Sequence, residues 1–197
     1  PGAGAQQRSS VGSSDIFVSK LDASGNFVYA QTMGGTSFES GTGIAVDSSG
    51  NVYTTGRFFG VVDFDPGPDT QSRTSVGSTN MFVSKLDASG SFVYAQTMGS
   101  PGQCEAYGIA VDGSGNVYTT GHFYGTADFD PGSGTQNRTA VGGSDVFVSK
   151  LDAAGGFVYA QVMGGSSSES AAGIAVDAAG NVYTTGRFEG TADFDPG

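Results

Sequence analysis

The sequence is poor in the residues that most directly indicate chemistry. It has one cysteine, one histidine and no tryptophan, and only 8 of its 197 residues are lysine or arginine, against 19 aspartates and glutamates. The formal net charge of −11 argues against binding to nucleic acid or to anionic membrane, since both require basic surfaces. No apolar run approaches the roughly 18 residues of a membrane-spanning helix. The single Cys104 is compatible with either redox compartment.

Glycine is abundant, with 34 residues, and serine, threonine, valine, phenylalanine and tyrosine are frequent. This composition is typical of short strands that are joined by tight turns. No segment keeps an apolar period of 3.6 residues, so we expect no helices. Apolar residues are consecutive instead, as in Ile16–Val18 and Phe27–Ala30. Such runs predict strands that are covered on both faces.

The dominant feature of the sequence is a repeat of 65 residues. FVSKLDASG begins at Phe17 and Phe82, and FVSKLDAAG begins at Phe147. The motifs GIAVD, NVYTTG and DFDPG recur with the same period. A fixed period of this length indicates stacked supersecondary units, each of which needs its neighbour to bury a face.

Each repeat contains four strand-like runs. In the second repeat they are Gly108–Asp112, Asn116–Phe123, Asp145–Asp152 and Phe157–Met163. The turns within each pair have the form Asp-x-x-Gly, in which the aspartate bonds its own backbone and the glycine takes a positive φ. We therefore predict two hairpins, hence one four-stranded antiparallel sheet, per repeat. The glycines expected to have positive φ are Gly25, Gly50, Gly90, Gly115, Gly155 and Gly180.

A radial array of four-stranded sheets covers both faces of every sheet, because each sheet packs between two others. The predicted fold class is therefore all-β, a β-propeller with one four-stranded antiparallel blade per 65-residue repeat. The alternatives are a β-solenoid, whose repeats are usually shorter, and a row of separate sandwiches, for which 65 residues is small.

The motifs GIAVDxxGNVYTTG and DxFVSKLDxxGxFVYAQxMGG resemble the bacterial β-propeller repeats called SBBP, and the first of them is also similar to the NHL-type blade. The resemblance implies a secreted or cell-surface protein of bacterial origin, but no particular activity. It also implies a strand order. GIAVD is then the innermost strand A, NVYTTGRF strand B, DVFVSKLD strand C and FVYAQVMGG the outermost strand D.

With this order the chain begins and ends with half a blade. Residues 1–42 form a C–D half-blade, 43–107 and 108–172 form complete blades, and 173–197 form an A–B half-blade. Open half-blades leave apolar strand edges, which invite pairing. We therefore expect closure by oligomerisation, in which each chain's A–B hairpin completes its partner's C–D hairpin. A dimer then has six blades and a trimer nine. Alternatively, further repeats of a longer chain supply the missing strands.

The connection between strands B and C is long, about twenty residues, and carries two aspartates at alternate positions. Such pairs, together with backbone carbonyls, could hold calcium, which prefers oxygen ligands. In the interpretation that we prefer, one aspartate caps the Pro-Gly turn and the other pairs with Arg73 or Arg138. The pairs are Asp63 with Asp65, Asp128 with Asp130, and Asp193 with Asp195.

All eight lysines and arginines fall in three columns of repeat-equivalent positions. Because a catalytic site usually gathers unlike residues, columns that keep the repeat symmetry indicate pairs between blades or solvated strand faces. His122 replaces an arginine of one column, and we interpret it as structural. Cys104 lies in the column of Glu39 and Glu169, and we expect an exposed thiol. No catalytic triad or dyad is evident, so we expect no enzymatic activity and no catalytic residue.

The positions at which the repeats differ are the candidate ligand-binding residues. Aromatic, acidic and amide groups at a concave rim suit contacts with a glycan or a protein. Ordinary loop drift would produce the same variation. One column lies at the end of strand B and the other in the connection from D to A, and their members are Phe59, Tyr124 and Glu189, then Phe38, Gln103 and Ser168.

Three functions follow as hypotheses. The first is a non-enzymatic, extracellular scaffold, adhesion or interaction module without a cofactor. The second is a carbohydrate-binding, lectin-like propeller. The third is a structural repeat that calcium stabilises.

Overall fold

The computed structural model describes residues 4–197, and this range contains fifteen strands and no helix. The all-β prediction is therefore confirmed. The strands are β1 Ile16–Leu21, β2 Phe27–Gly35, β3 Glu39–Val46, β4 Val52–Phe58, β5 Val61–Asp63, β6 Ser72–Thr74, β7 Asn80–Leu86, β8 Phe92–Met98, β9 Cys104–Val111, β10 Val117–Asp128, β11 Asn137–Leu151, β12 Phe157–Gly165, β13 Ser170–Val176, β14 Val182–Arg187 and β15 Ala192–Asp193.

Two complete blades have the predicted strand order. The first complete blade has the order β3-β4-β7-β8, and the second has β9-β10-β11-β12 with β15 added outside β12. All of these pairs are antiparallel. Strand A begins earlier than predicted, at Glu39 and Cys104 rather than at the GIAVD motif, because the residues before that motif also pair with strand B.

A half-blade lies on either side of the complete blades. Strands β1 and β2 form the N-terminal half-blade, and β13 and β14 form the C-terminal half-blade. Among residues 4–197, strand β1 pairs only with β2, and β14 pairs only with β13. Within residues 4–197 the four sheets do not close into a ring.

The long connection between strands B and C contains a short hairpin that the sequence did not predict. Strands β5 and β6 pair with each other, and β5 adds to the outer strand β2 of the preceding half-blade through Gly34↔Asp63 and Gly35↔Val62. The equivalent hairpin of the next repeat bridges to the first complete blade at Gly99↔Asp128. Each outer strand therefore has its edge at least partly covered by the following repeat.

Neighbouring blades share apolar cores. Ile16, Val18 and Met33 of the N-terminal half-blade pack against Phe58 and Phe82 of the first complete blade. A second core lies between the two complete blades and contains Met81, Val83, Met98, Val117, Phe123, Phe129 and Phe147. The adjacent residues Phe82 and Val83 thus enter different cores, which confirms that strand C is covered on both faces.

The Asp-x-x-Gly turns have the predicted geometry. All six glycines have φ between +80° and +88°. In each turn the glycine N–H donates to the aspartate carbonyl at 2.9–3.0 Å. The aspartate carboxylate of such a turn also accepts backbone N–H groups. Asp112, for example, accepts those of Ser114 at 2.8 Å and Asn116 at 3.0 Å.

One turn offers a matched pair of glycines to test this geometry. We expect Gly115→Ala to lower the free energy of unfolding by roughly 1–2 kcal/mol, because a Cβ strains the left-handed backbone. Gly113 lies in the same turn, has no positive φ and has open space at its Cβ position. Gly113→Ala should therefore change stability by less than about 0.5 kcal/mol. Urea unfolding of both variants measures the difference, and equal costs would contradict the turn assignment.

Candidate functional site

The two variable columns come together at one rim of the blades. The backbone N–H of Phe59 donates to the carbonyl of Phe38 at 3.1 Å, and that of Tyr124 donates to Gln103 at 2.9 Å. The side chains of Phe38, Phe59 and Tyr124 are substantially exposed. In the C-terminal half-blade, Glu189 is exposed and lies 3.9 Å from Arg187. The sequence prediction that both columns share a rim agrees with this geometry.

A polar and aromatic cluster at this rim contains residues that the sequence analysis did not select. We call it the rim cluster, and its members are Arg57, Glu105, Tyr107, His122 and Tyr124. Arg57 comes from β4 of the first complete blade, whereas the other four come from β9 and β10 of the second. Glu105 and Tyr107 replace small residues of the other repeats, and this difference was the signal in the sequence that could have identified them.

Glu105 is the centre of the rim cluster. Its carboxylate lies 2.7 Å from the Arg57 guanidinium and accepts the hydroxyls of Tyr107 at 2.8 Å and Thr79 at 3.1 Å. Burial opposes ionisation, yet the Tyr107 and Arg57 donors hold the pKa of Glu105 below its ordinary value. Burial and the bond to Glu105 raise the pKa of Tyr107 to about 12. The Arg57–Glu105 pair joins two blades, as expected for one of the charged columns.

His122 is enclosed by aromatic rings. It stacks on Tyr107 at 5.5 Å between ring centroids and meets Tyr124 edge-on at 5.5 Å. The Ser170 hydroxyl of the C-terminal half-blade lies 3.4 Å from His122 Nδ1. Burial, together with the charges of Arg187 and Arg57, lowers the pKa of His122 despite the opposing charge of Glu105. The imidazole is therefore neutral at pH 7, and packing dominates its surroundings.

Phe38 extends the rim cluster toward the preceding blade. Its ring lies 5.2 Å from the Arg57 guanidinium carbon, in the geometry of a cation–π contact. The rim thus presents exposed aromatic groups around a partly buried ion pair. This combination can stack on a flat apolar face and offer hydrogen bonds at its edge.

The aspartate pairs of the hairpins cap turns. Asp63 Oδ1 accepts the backbone N–H groups of Asp65 at 3.0 Å and Gln71 at 2.8 Å, and Asp65 Oδ1 accepts that of Gly67 at 2.7 Å. The same pattern recurs in the second hairpin, at Asp128 and Asp130, and in part at Asp193 and Asp195. Between residues 4 and 197, no three histidine, cysteine or acidic side chains converge as metal ligands would.

Two expectations from the sequence are wrong, one about the arginines that follow the aspartate pairs and one about Cys104. Arg73 and Arg138 do not face the aspartates, because their Nε atoms donate to the carbonyls of Ala95 at 3.0 Å and Ala160 at 2.8 Å. Cys104 is fully buried rather than exposed, since it lies in strand β9 and packs in the core between the complete blades. Burial raises the pKa of its thiol, so the group is unreactive.

Known proteins resemble this chain in its repeats. The beta-propeller repeat model named SBBP matches residues 35–57 and 96–122. The regulatory protein FlaEY of Caulobacter vibrioides is 29% identical over 127 residues, which cover 62% of this chain and 13% of that protein. An uncharacterized WD repeat-containing protein of Acanthamoeba polyphaga mimivirus is 25% identical over 177 residues, which cover 83% of this chain and 13% of that protein. The chain thus spans about an eighth of these curated relatives.

In the part of the chain that the structure describes, no helix has the length and apolar character to cross a bilayer.

The ion pair of the rim cluster can be tested against an exposed pair in the same column. We expect Arg57→Met to destabilise the chain by roughly 1–3 kcal/mol at neutral pH, because it leaves the buried Glu105 carboxylate without its cation. Arg187→Met removes an exposed guanidinium 3.9 Å from Glu189 and should cost less than about 0.5 kcal/mol.

The pH dependence gives a second readout of the same pair. The folded-state pKa of Glu105 is lowered, so its stabilisation is present above the ordinary glutamate pKa and is lost as pH falls through the folded value. The difference in free energy of unfolding between the native chain and Arg57→Met should therefore become smaller as the pH is lowered. Equal costs of the two arginine substitutions in thermal unfolding would show that the Arg57–Glu105 pair contributes nothing specific.

Proposed function

Because the chain carries SBBP beta-propeller repeats, we propose that it is a non-enzymatic scaffold or interaction module whose two half-blades complete those of a second copy. The observation that carries the proposal is the exposure of apolar side chains in the half-blades. Phe17 is 72% exposed, whereas its repeat equivalents Phe82 and Phe147 are 0% exposed. Tyr183 is 59% exposed, whereas its equivalents Tyr53 and Tyr118 are at most 1% exposed.

The complete blades supply the register for this pairing. Strand β4 pairs with β7 from Val52↔Leu86 to Phe58↔Asn80, and β10 pairs with β11 in the same way. Applied to the half-blades, the same register sets Val182 of β14 opposite Leu21 of β1 in a second copy. Both edges are free of a partner strand within the described residues, and free apolar edges favour pairing.

Aromatic packing indicates the same partner. In the first complete blade, Phe64 lies 5.6 Å from Phe58 and 5.1 Å from Phe82 between ring centroids. The second complete blade repeats the three-ring cluster with Phe123, Phe129 and Phe147. In the C-terminal half-blade only two rings meet, Phe188 and Phe194 at 5.4 Å, and both are exposed. The repeat equivalent of the third ring is Phe17, which a second copy would supply.

Polar contacts across the complete blades have the same period. Thr55 Oγ1 donates to the Phe82 carbonyl at 2.6 Å, and Thr120 Oγ1 to the Phe147 carbonyl at 2.7 Å. The side chain of Gln31 donates to the Gly90 carbonyl at 3.0 Å, and that of Gln96 to the Gly155 carbonyl at 3.1 Å. By the same period, Thr185 and Gln161 would donate to the carbonyls of Phe17 and Gly25 of a second copy.

An open groove lies where the hairpin of a second copy would dock. Its volume is about 490 Å³, and it runs between strand β1, along Ile16–Ser19, and the inner strand β3, along Glu39–Ile44. In the complete part of the array the inner strands β3, β9 and β13 follow one another side by side. We therefore expect the A–B hairpin of a second copy to dock here, with its strand B paired to β1 and its strand A beside β3.

The blade count favours two copies. Two complete blades and two halves make three blades per chain, so a dimer contains six, within the usual range of about four to eight. Three copies would give nine. The curated relatives are much longer than this chain, and in a longer chain of such repeats the same strands would be supplied in cis.

We expect the 197-residue chain to have a solution mass of about 40 kDa, twice its 19.8 kDa. Phe17→Asp should reduce the mass to that of one chain, because it puts a charge into the proposed aromatic cluster. Val141→Asp is the matched control, since Val141 is 79% exposed and lies in β11, outside the strands β1 and β14 that would pair with a second copy. Light scattering measures the mass. A well-folded native monomer would refute the second copy as partner.

A disulfide tests the register directly. Thr54 lies opposite Ser84 in the first complete blade, so Thr184 should lie opposite Ser19 of a second copy, with Cβ atoms about 4.5–5.5 Å apart. Thr184→Cys with Ser19→Cys should give covalent dimers on non-reducing gels. Tyr183→Cys with Ser19→Cys is the control, since neighbouring residues of a strand point to opposite faces. Equal cross-linking of both pairs would contradict the register.

A carbohydrate-binding function is the second candidate, and the rim cluster favours it. Exposed aromatic faces beside a hydrogen-bonded ion pair suit the apolar faces and hydroxyls of sugars. Tyr124→Ala should then abolish glycan binding on an array without changing the solution mass. The calcium function has less support, because the carboxylates of the aspartate pairs already accept backbone hydrogen bonds.

We also propose a secreted or cell-surface location for the module. The acidic net charge of −11 and the SBBP repeats are consistent with it. Protease treatment of intact cells would test the location, since an internal protein would be protected.

A further inference from the structure

Two acidic pairs lie at the junctions between the half-blades and the complete blades. Asp15 precedes strand β1, and Glu39 begins strand β3 of the next blade; the Glu39 N–H donates to the Ser14 carbonyl at 2.9 Å. The second pair, Asp145 in β11 and Glu169 before β13, is its repeat equivalent, with the Glu169 N–H on the Ser144 carbonyl at 2.7 Å. Each pair therefore joins strand C of one blade to strand A of the next.

Every carboxylate of these pairs uses one oxygen and leaves the other without a partner. Asp15 Oδ2 accepts the Val11 N–H at 3.0 Å, and Glu39 Oε2 accepts the Gly35 N–H at 2.9 Å. Asp145 and Glu169 accept the equivalent N–H groups at 3.0 Å and 2.9 Å. The remaining oxygens, Asp15 Oδ1, Glu39 Oε1, Asp145 Oδ1 and Glu169 Oε1, are buried and have no hydrogen-bond partner.

In the described part of the chain, no side-chain cation pairs with these carboxylates. Glu39, Asp145 and Glu169 are each only 1% exposed. Among the described residues, the ion pairs between side chains are Arg57–Glu105 and Arg187–Glu189, and neither includes them. The charged group that acts on Glu39 is Asp15, and the one that acts on Asp145 is Glu169. Burying a charge without a partner is costly, so a group in this position tends to become neutral.

The junction between the two complete blades is an internal comparison. There Asn80 replaces the aspartate and Cys104 replaces the glutamate, so both acids are absent together. Asn80 Oδ1 still accepts the Val76 N–H at 2.8 Å, as the aspartates do at their junctions. The backbone arrangement of the junction is thus kept with neutral side chains.

We propose that each Asp–Glu pair holds one proton between its two carboxyl groups, and that loss of this proton with rising pH weakens the two outer junctions while the middle junction stays unchanged. One proton allows one carboxyl to donate to the other and so satisfies both free oxygens. A calcium ion would need six to eight oxygen ligands, whereas each pair offers two free carboxylate oxygens. This site is independent of the proposed dimer, since both members of each pair lie in one chain.

The sign of the pH dependence follows from the same groups. Burial, and then the charge of Asp15, raises the pKa of Glu39; burial, and then the charge of Glu169, raises that of Asp145. A raised folded-state pKa means that the stabilisation is complete below the ordinary pKa of the group and is lost as pH rises through the folded value. The turn aspartates behave oppositely, since hydrogen bonds lower the pKa of Asp112 despite partial burial.

The experiment compares the melting temperature of the native chain with that of Asp15→Asn/Asp145→Asn between about pH 4 and pH 8. Asparagine preserves the backbone bond, as Asn80 does. We expect the variant to melt a few degrees higher than the native chain near pH 8, with the gap closing toward pH 4. Asp112→Asn is the control, and it should melt lower near pH 8. If the melting temperatures of the native chain and the double variant change in parallel with pH, the proposal is wrong.

Two further arms sharpen the test. Asn80→Asp/Cys104→Glu installs a third pair at the middle junction, so the melting temperature of this variant should fall more steeply with rising pH than that of the native chain. If the folded variant shows the same pH dependence of the melting temperature as the native chain, this result counts against the proposal. Millimolar calcium chloride should leave the melting temperature of the native chain unchanged near pH 8. If calcium raises it, and Asp15→Asn/Asp145→Asn removes the effect, the pairs hold a metal ion and the shared proton is wrong.

Discussion

The structure depends on one constraint, namely that both faces of every blade are apolar and must be covered. Strand C shows this most clearly. In the first complete blade Phe82 faces the N-terminal half-blade, whereas its neighbours Met81 and Val83 face the second complete blade. A sheet of this kind has no face to offer to water, so it is stable only between two others. The 65-residue repeat meets this requirement, because each blade is followed in the chain by another of the same kind.

Strand edges are the second consequence of the same architecture. The short hairpin between strands B and C covers part of the outer edge of the preceding blade, at Gly34–Gly35 in the N-terminal half-blade. The edges of β1 and β14 lack such a cover among the described residues. The apolar side chains along them, such as Phe17 and Tyr183, have buried equivalents in both complete blades, and this difference is the basis on which we propose a strand of the same repeat as their partner.

The clusters of polar and charged side chains lie where the repeats differ. Much of this difference comes from one glutamate, whose position is shifted by one residue in the middle repeat. The outer repeats have Glu39-Ser40 and Glu169-Ser170, whereas the middle repeat has Cys104-Glu105. Adjacent residues of a strand point to opposite faces. Moving the glutamate by one position therefore takes it out of the junction, where it meets an aspartate, and into the rim cluster, where it meets Arg57.

The sequence by itself determined the repeat, the all-β class, the two hairpins of each repeat and the positive φ of the turn glycines, whereas the A-B-C-D order came from the family resemblance. These features are local or periodic: an Asp-x-x-Gly turn needs only its own residues, and a repeated run of apolar residues needs only a repeated partner. It also identified both variable columns at the rim, since Phe38 and Phe59 are unlike their repeat equivalents.

Only the tertiary structure decided which residues meet across blades. Glu105 and Arg57 are 48 positions apart, and Asp15 and Glu39 belong to different sheets. Cys104 was expected in an exposed loop, but the strand begins at that residue and buries it. The aspartates at positions 63 and 65 gave no signal of a β5–β6 hairpin, because its partner strand lies in the preceding half-blade. Contacts of this kind depend on how neighbouring blades are stacked, so residues that are far apart in the sequence or lie in different sheets are brought together only when the blades pack.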